Sequence, residues 1–74
     1  MDMTYKSTAI IQREGKWFVA RSLELGVTSQ GKTVEEAREN LREAMELYLE
    51  DMPKNAGSLS KESPLVTSID VGRG

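Results

Sequence analysis

The stretch Leu23 to Glu50, LELGVTSQGKTVEEARENLREAMELYLE, takes an extended segment through Ser29-Gln30-Gly31 straight into one amphipathic helix. Thr33 is the natural N-cap, because its hydroxyl can accept from an N–H that the first helical turn leaves unpaired, and Glu36 three residues later completes a capping box. Glu35 and Glu36 also lie where the positive end of the macrodipole favours carboxylates. Val34, Ala37, Leu41, Ala44, Met45, Tyr48 and Met52 follow the three-and-four spacing of one helical face, which reads as a core stripe. Leu47 and Leu49 widen that arc toward the C-terminal end, where a second subunit or a partner can rest. Glu50 and Asp51 sit in the last turn, where cations are favoured, so this end is expected to fray before Pro53 stops the helix.

Upstream of this junction, Tyr5 to Gln12 and Trp17 to Leu23 are β-rich runs flanking Arg13-Glu14-Gly15-Lys16. A two-residue loop at Glu14-Gly15, with the glycine supplying positive φ, predicts that Gln12 faces Trp17, Ile11 faces Phe18 and Ala9 faces Ala20. Tyr5, Ser7, Ala9, Ile11, Phe18, Ala20 and Ser22 then form one face, whose small central residues let a helix approach closely, and this is the expected core face. Lys6, Thr8, Ile10, Gln12, Trp17, Val19 and Arg21 form the other. A fully solvated face would not gather Ile10, Trp17 and Val19, so a covering partner is expected there; the plainer reading has Trp17 packing across the strand on Gln12. Val27 to Gln30 is expected as a third antiparallel strand, closed by Gly31.

Downstream of the helix, Lys54 to Ser63 reads as a flexible loop (54–63). Leu65 to Val71 reads as a fourth strand, with Leu65, Thr67, Ile69 and Val71 on one side, returning to the same sheet through the helical crossover. The expected fold is therefore α+β, a single domain over residues 1–74 in the order βββαβ: an antiparallel meander plus a returning strand, with one helix packed on one face.

The chain has 74 residues, no cysteine and no histidine. A core this small contributes at most about 3 to 5 kcal/mol, and no disulfide or thiolate metal site can supplement it, so oligomerisation or a partner is the expected supplement. Neither a secretory leader nor a run of about 18 apolar residues is present, and a soluble cytoplasmic protein is expected. Between Thr33 and Asp51, seven acidic residues oppose Arg38 and Arg42, a net of −5; the whole chain is −2, which leaves the remainder at +3. Such a ridge repels phosphates and complements a basic protein surface, although an ordinary solvated face explains it as well.

Three function classes follow. Catalysis is not expected, because imidazole and thiol are missing and the carboxylates that strands could offer to a metal ion, Glu24 and Asp70, form no dense cluster; no cofactor or metal is expected either. Ser29 has no base to activate it, and Gly26 and Gly31 read as turn residues. A nucleic-acid module would use Lys6, Arg13, Lys16 and Arg21 around Trp17, too short a strip for a footprint on a mildly acidic chain. A protein-binding module would use Ile10, Trp17, Val19 and Arg21 on the outer sheet face as its interface, with Glu39, Glu43 and Glu46 steering association.

The succession Trp17-Phe18-Val19-Ala20, Leu23-Glu24-Leu25-Gly26-Val27-Thr28-Ser29-Gln30-Gly31, Thr33-Val34-Glu35-Glu36-Ala37 and Asn40-Leu41-Arg42-Glu43-Ala44 resembles the HicB-like antitoxin family, over about Tyr5 to Val71. The resemblance implies a degraded ribonuclease-H-like domain that binds and masks a small basic HicA-type mRNA-cleaving toxin. Edge strands and the apolar second sheet face lead separately to the expectation of a homo-oligomer, dimer or tetramer. Many members append a helix-turn-helix or ribbon-helix-helix segment after the sheet domain; none follows Gly74, so direct DNA binding is not expected. Where many relatives carry Cys or Pro, this chain has Ser22-Leu23-Glu24-Leu25, which points to the alternative of a free-standing oligomeric protein- or nucleic-acid-binding module without a toxin.

Overall fold

In a computed structural model that describes residues 4–73, three antiparallel strands run in the order β1 (Ala9–Glu14), β2 (Trp17–Ser22) and β3 (Thr28–Gly31). One helix, α1 (Val34–Asp51), follows, and then a 3-10 turn at Pro53–Ser58. The class is α+β, as expected.

The hairpin register differs from the expected one. Glu14 pairs with Trp17, Gln12 with Val19, Ile11 with Ala20 and Ala9 with Ser22, so the two-residue loop is Gly15-Lys16. Gly15 has φ +62 at the first central position, where a type II′ turn places its glycine. The slide is by two residues in the pairing sum, and because strand side chains alternate with period two, both faces keep their expected members. On β3, Ser29 and Gly31 pair with Ala20 and Phe18 on the inner face, and Thr28 and Gln30 with Arg21 and Val19 on the outer one.

Thr33 caps α1 as expected, its hydroxyl accepting from the Glu36 N–H at 3.0 Å. The Glu36 carboxylate reaches back to the Lys32 N–H at 3.0 Å, one residue beyond the usual partner in a capping box. The helix ends at Asp51, no basic residue occupies its last turn, and Met52 N–H closes it on Tyr48 O at 2.9 Å.

Ala20, Ala37 and Leu41 are buried, with Ile11, Phe18, Val27 and Met45 packed around them. Small residues on both surfaces bring helix and sheet together. At Gly31 a Cβ would lie 2.5 Å from Ala37 N, so Gly31 is there for close approach rather than for a turn, which corrects its reading as a turn residue; Gly26, at φ +72, is the turn glycine. Asn40 Nδ2 donates to Gln30 O at 2.9 Å and fixes the same junction. The helix lies over β3 and β2 and touches β1 least, which leaves Ala9 exposed although it belongs to the inner face.

Two expectations for the C-terminal part fail. Residues 54–63 are not wholly irregular: the 3-10 turn at Pro53–Ser58 begins on a proline with preset φ and is tied to α1 by Asn55, whose Nδ2 donates to Tyr48 Oη at 2.7 Å. The segment then meets the N-terminal chain in a single antiparallel bridge, Lys6 to Ser60. Leu65 to Val71 does not form the fourth strand, and residues 64–73 carry no regular structure and are exposed throughout. A strand is stable only with a ladder partner, and this run lies beside none of the sheet's edges.

Candidate functional site: the outer sheet face

The outer face is built by alternation alone. Thr8, Ile10, Gln12 and Glu14 project from β1 and the residue before it, opposite Leu23, Arg21, Val19 and Trp17 of β2, with Thr28 and Gln30 of β3 beyond. Thr8 and Leu23 extend the ladder past Ala9, since the Leu23 N–H donates to Thr8 O at 2.8 Å. No element of the described chain covers this face. Ile10 is 43% exposed, Trp17 41% and Leu23 55%.

A shallow depression of about 440 Å³ lies on it, lined by Ile10, Gln12, Glu14, Val19, Arg21 and Leu23 among others. The structure therefore brings together Ile10, Val19 and Arg21, three of the four expected interface residues, and sets Trp17 on the same face beside Glu14. The residue directly across from Trp17 is Glu14 rather than the expected Gln12, which sits opposite Val19 and is Trp17's diagonal neighbour. Leu23 and Thr28 belong to the site and were missed; Leu23 was legible as the next outward position after Arg21, but only the β2–β3 pairing brings in Thr28.

The acidic helix residues behave differently. Arg42 bonds Glu39 through Nε at 2.9 Å and through Nη2, and bonds Glu46 through Nη1 at 3.0 Å. The Arg42 hydrogen bond, helped by its charge and that of Arg38, holds the Glu39 carboxyl below its usual range. Two of the three expected steering carboxylates are thus already paired within the helix. These exposed i,i+3 and i,i+4 pairs dilute the field they were expected to project. They also lie on α1, across the sheet from Trp17 and Ile10, so the two sets of expected interface residues do not form one patch.

The basic strip is broken as well. Arg13 lies on the inner face opposite Phe18, its guanidinium 5.9 Å from the ring centroid, and its Nε donates to Gly15 O at 3.3 Å. It does not line up with Arg21 and Trp17.

Glu24 has a structural role. Its Oε1 accepts from the Thr8 N–H at 2.7 Å and from the Ser7 hydroxyl at 2.9 Å, while Ser7 Oγ and the wholly buried Ser22 Oγ lie 2.7 Å apart and Ser22 Oγ accepts from the Leu25 N–H at 3.1 Å. Burial pushes the Glu24 carboxyl up, but the Thr8 N–H and the Ser7 hydroxyl outweigh it and the net direction is down. This network closes the Ser22-Leu23-Glu24-Leu25 turn between β2 and β3 and locks it to the start of β1. Asp70, the other carboxylate weighed for a metal ion, is exposed in the C-terminal segment; among the described residues no three acidic side chains converge on a common point.

The fold and this face define a small α+β domain, one helix on a three-stranded meander with an uncovered outer sheet surface. The chain belongs to a family of unknown function, DUF7387, whose model matches residues 2–70. It is similar to a UPF0150 protein of Helicobacter pylori (strain J99), 37% identical over 65 residues that span 85% of this chain and 90% of the relative. It is also similar to the UPF0150 protein ssr1765 of Synechocystis sp. (strain PCC 6803), 32% identical over 69 residues, 90% of this chain and 87% of the relative. No solved structure matches. Among the described residues no helix is long and apolar enough to cross a membrane.

Proposed function

We propose that this protein is a non-catalytic, HicB-like antitoxin module of the cytoplasm that binds and masks a small basic HicA-type mRNA-cleaving toxin. The observation that carries the reading is the uncovered outer sheet face, where Ile10, Val19 and Leu23 line one depression with Arg21, and Trp17 stands half-exposed beside Glu14 at the hairpin end of the same face. An indole with 41% of its surface in water is a ready anchor, since aromatic side chains buried at the centre of an interface supply a disproportionate share of its affinity. The masking is steric: the sheet covers the toxin's RNA-binding or catalytic surface, and no bond is made or broken. The acidic surplus of α1 attracts a basic partner at long range, with Glu35, Glu43 and Glu50 supplementing the Arg42-paired carboxylates.

The test is to co-express the chain with the small basic protein encoded beside it, and to measure affinity and residual mRNA cleavage. Trp17→Ala is expected to weaken binding about 30-fold, the equivalent of ~2 kcal/mol, and to release cleavage in proportion. Affinity unchanged in both Trp17→Ala and Ile10→Asp would overturn the assignment of this face. A chain that binds no basic neighbour and only associates with itself would select the free-standing module, to which Ser22 to Leu25 also points because hydrogen bonds fix that turn where many HicB-like relatives carry Cys or Pro.

A further inference from the structure

The C-terminal segment is sequence-patterned as a strand yet has no partner in its own chain. Leu65, Ile69 and Val71 are 95%, 80% and 85% exposed, and with Thr67 they occupy one side of an extended run. A flexible linker is polar; alternating apolar residues of this kind are the pattern of a half-buried strand.

The body of the molecule has the matching vacancy. Because α1 lies over β3 and β2, a groove of about 720 Å³ runs beside β1, walled by Tyr5 and Ala9 on one side and by Leu41, Met45 and Leu49 on the other, with Leu59 at its end. The three helix residues recur every fourth position as an apolar row, with Leu41 as its buried floor, and Arg38, Arg42 and Glu46 of the same helix border it. β1 is an edge of the sheet, and its six residues span ~20 Å against ~26 Å for the eight residues 64–71. Ser63 lines the groove, so the chain reaches its mouth and then departs, giving Cα extents of 52 × 27 × 18 Å.

We propose that two copies of this chain exchange their C-terminal segments, residues 64–71 of each forming a fourth strand on the β1 edge of the other and seating Leu65, Ile69 and Val71 in its groove. The occupant is a second copy because the segment that fits the groove leaves its own body at Ser63 and Pro64. A reciprocal exchange uses the same two surfaces twice and closes as a twofold dimer. It also pairs the exposed edge of β1, which would otherwise invite uncontrolled strand addition. Dimerisation through this edge leaves the outer sheet face open and is independent of any toxin, since it is measured on the purified protein alone.

Sedimentation of the full-length chain at micromolar concentration is expected to show a dimer. Ile69→Asp should raise its dissociation constant at least 30-fold. Ser68→Asp, on the opposite side of the same segment, should leave it within about threefold. Ala9→Arg, which fills the groove, should also yield monomers. Mixing Ile69→Asp with Ala9→Arg supplies one intact segment and one open groove, so heterodimers should form more tightly than either variant self-associates. A monomeric wild type, a dimer indifferent to Ile69→Asp, or a mixture that recovers no heterodimer would each overturn the exchange. Ile69 is 80% exposed, so its substitution does not threaten the fold, and circular dichroism melts verify that Ala9→Arg remains folded.

Discussion

Gly31 and Glu24 each hold a junction between elements through a single residue. A Cβ on Gly31 would stand 2.5 Å from Ala37 N and 2.8 Å from the Glu36 carbonyl carbon, both backbone atoms that cannot rotate aside. Gly31→Ala is therefore expected to lower unfolding free energy by about 2 kcal/mol, measured by urea denaturation, with the helix shifted off the sheet. Sequence shows a glycine before a helix and suggests a turn; the requirement comes from Ala37, six residues later in the chain. Glu24 was legible only as a solitary carboxylate. Its folded pKa lies below its ordinary 4.5, so its stabilising contribution is complete above that value and fades as pH falls through the lower folded value. Glu24→Gln should cost about 1 to 2 kcal/mol at pH 7, and the gap between the two proteins should shrink as the pH falls below the ordinary carboxylate value and through the lower folded one, when both are followed by thermal melts.

At the scale of elements, α1 was the most readable. Its cap, its stop at Pro53 and the middle of its apolar stripe follow from local chemistry, each acting within a turn or two of the chain, whereas Val34 and Met52 at the ends of the expected core stripe are 41% and 46% exposed because the short sheet does not reach them. Thr33→Ala removes the acceptor for the Glu36 N–H and is expected to cost about 1 kcal/mol, with faster amide exchange confined to the first turn of α1. The hairpin was readable in its faces and not in its register. Both candidate loops use Gly15, and local rules alone do not choose between placing it first or second; the choice falls to Gly15-Lys16 because it sets Thr8 against Leu23 and Ala9 against Ser22, where the Ser7–Ser22–Glu24 network can close. The steering role expected for Glu39 and Glu46 weakened at this scale too, since Arg42 sits one turn from both.

For the whole molecule, the decisive fact is that three strands and one helix leave two surfaces unsatisfied. The outer sheet face holds Ile10, Trp17 and Leu23 in water, and the flank of the inner face holds a groove beside β1. If the two surfaces are independent, Trp17→Ala should weaken partner binding without altering the sedimentation of the protein alone, and Ile69→Asp should do the reverse. The fourth strand predicted at Leu65 to Val71 illustrates the limit of pattern reading: alternation states that a run is suited to a sheet, and says nothing about whose sheet receives it.

The sequence by itself determined the α+β class, the position and capping of the helix, and which residues share a face of the hairpin, because each depends on spacing along the chain and on hydrogen bonds reaching a few residues. Only the tertiary structure decided the register, the close contact at Gly31, the locking of Glu24 and the exposure of residues 64–73. Each of those depends on which distant backbone stands opposite, a matter of packing that local periodicity does not encode.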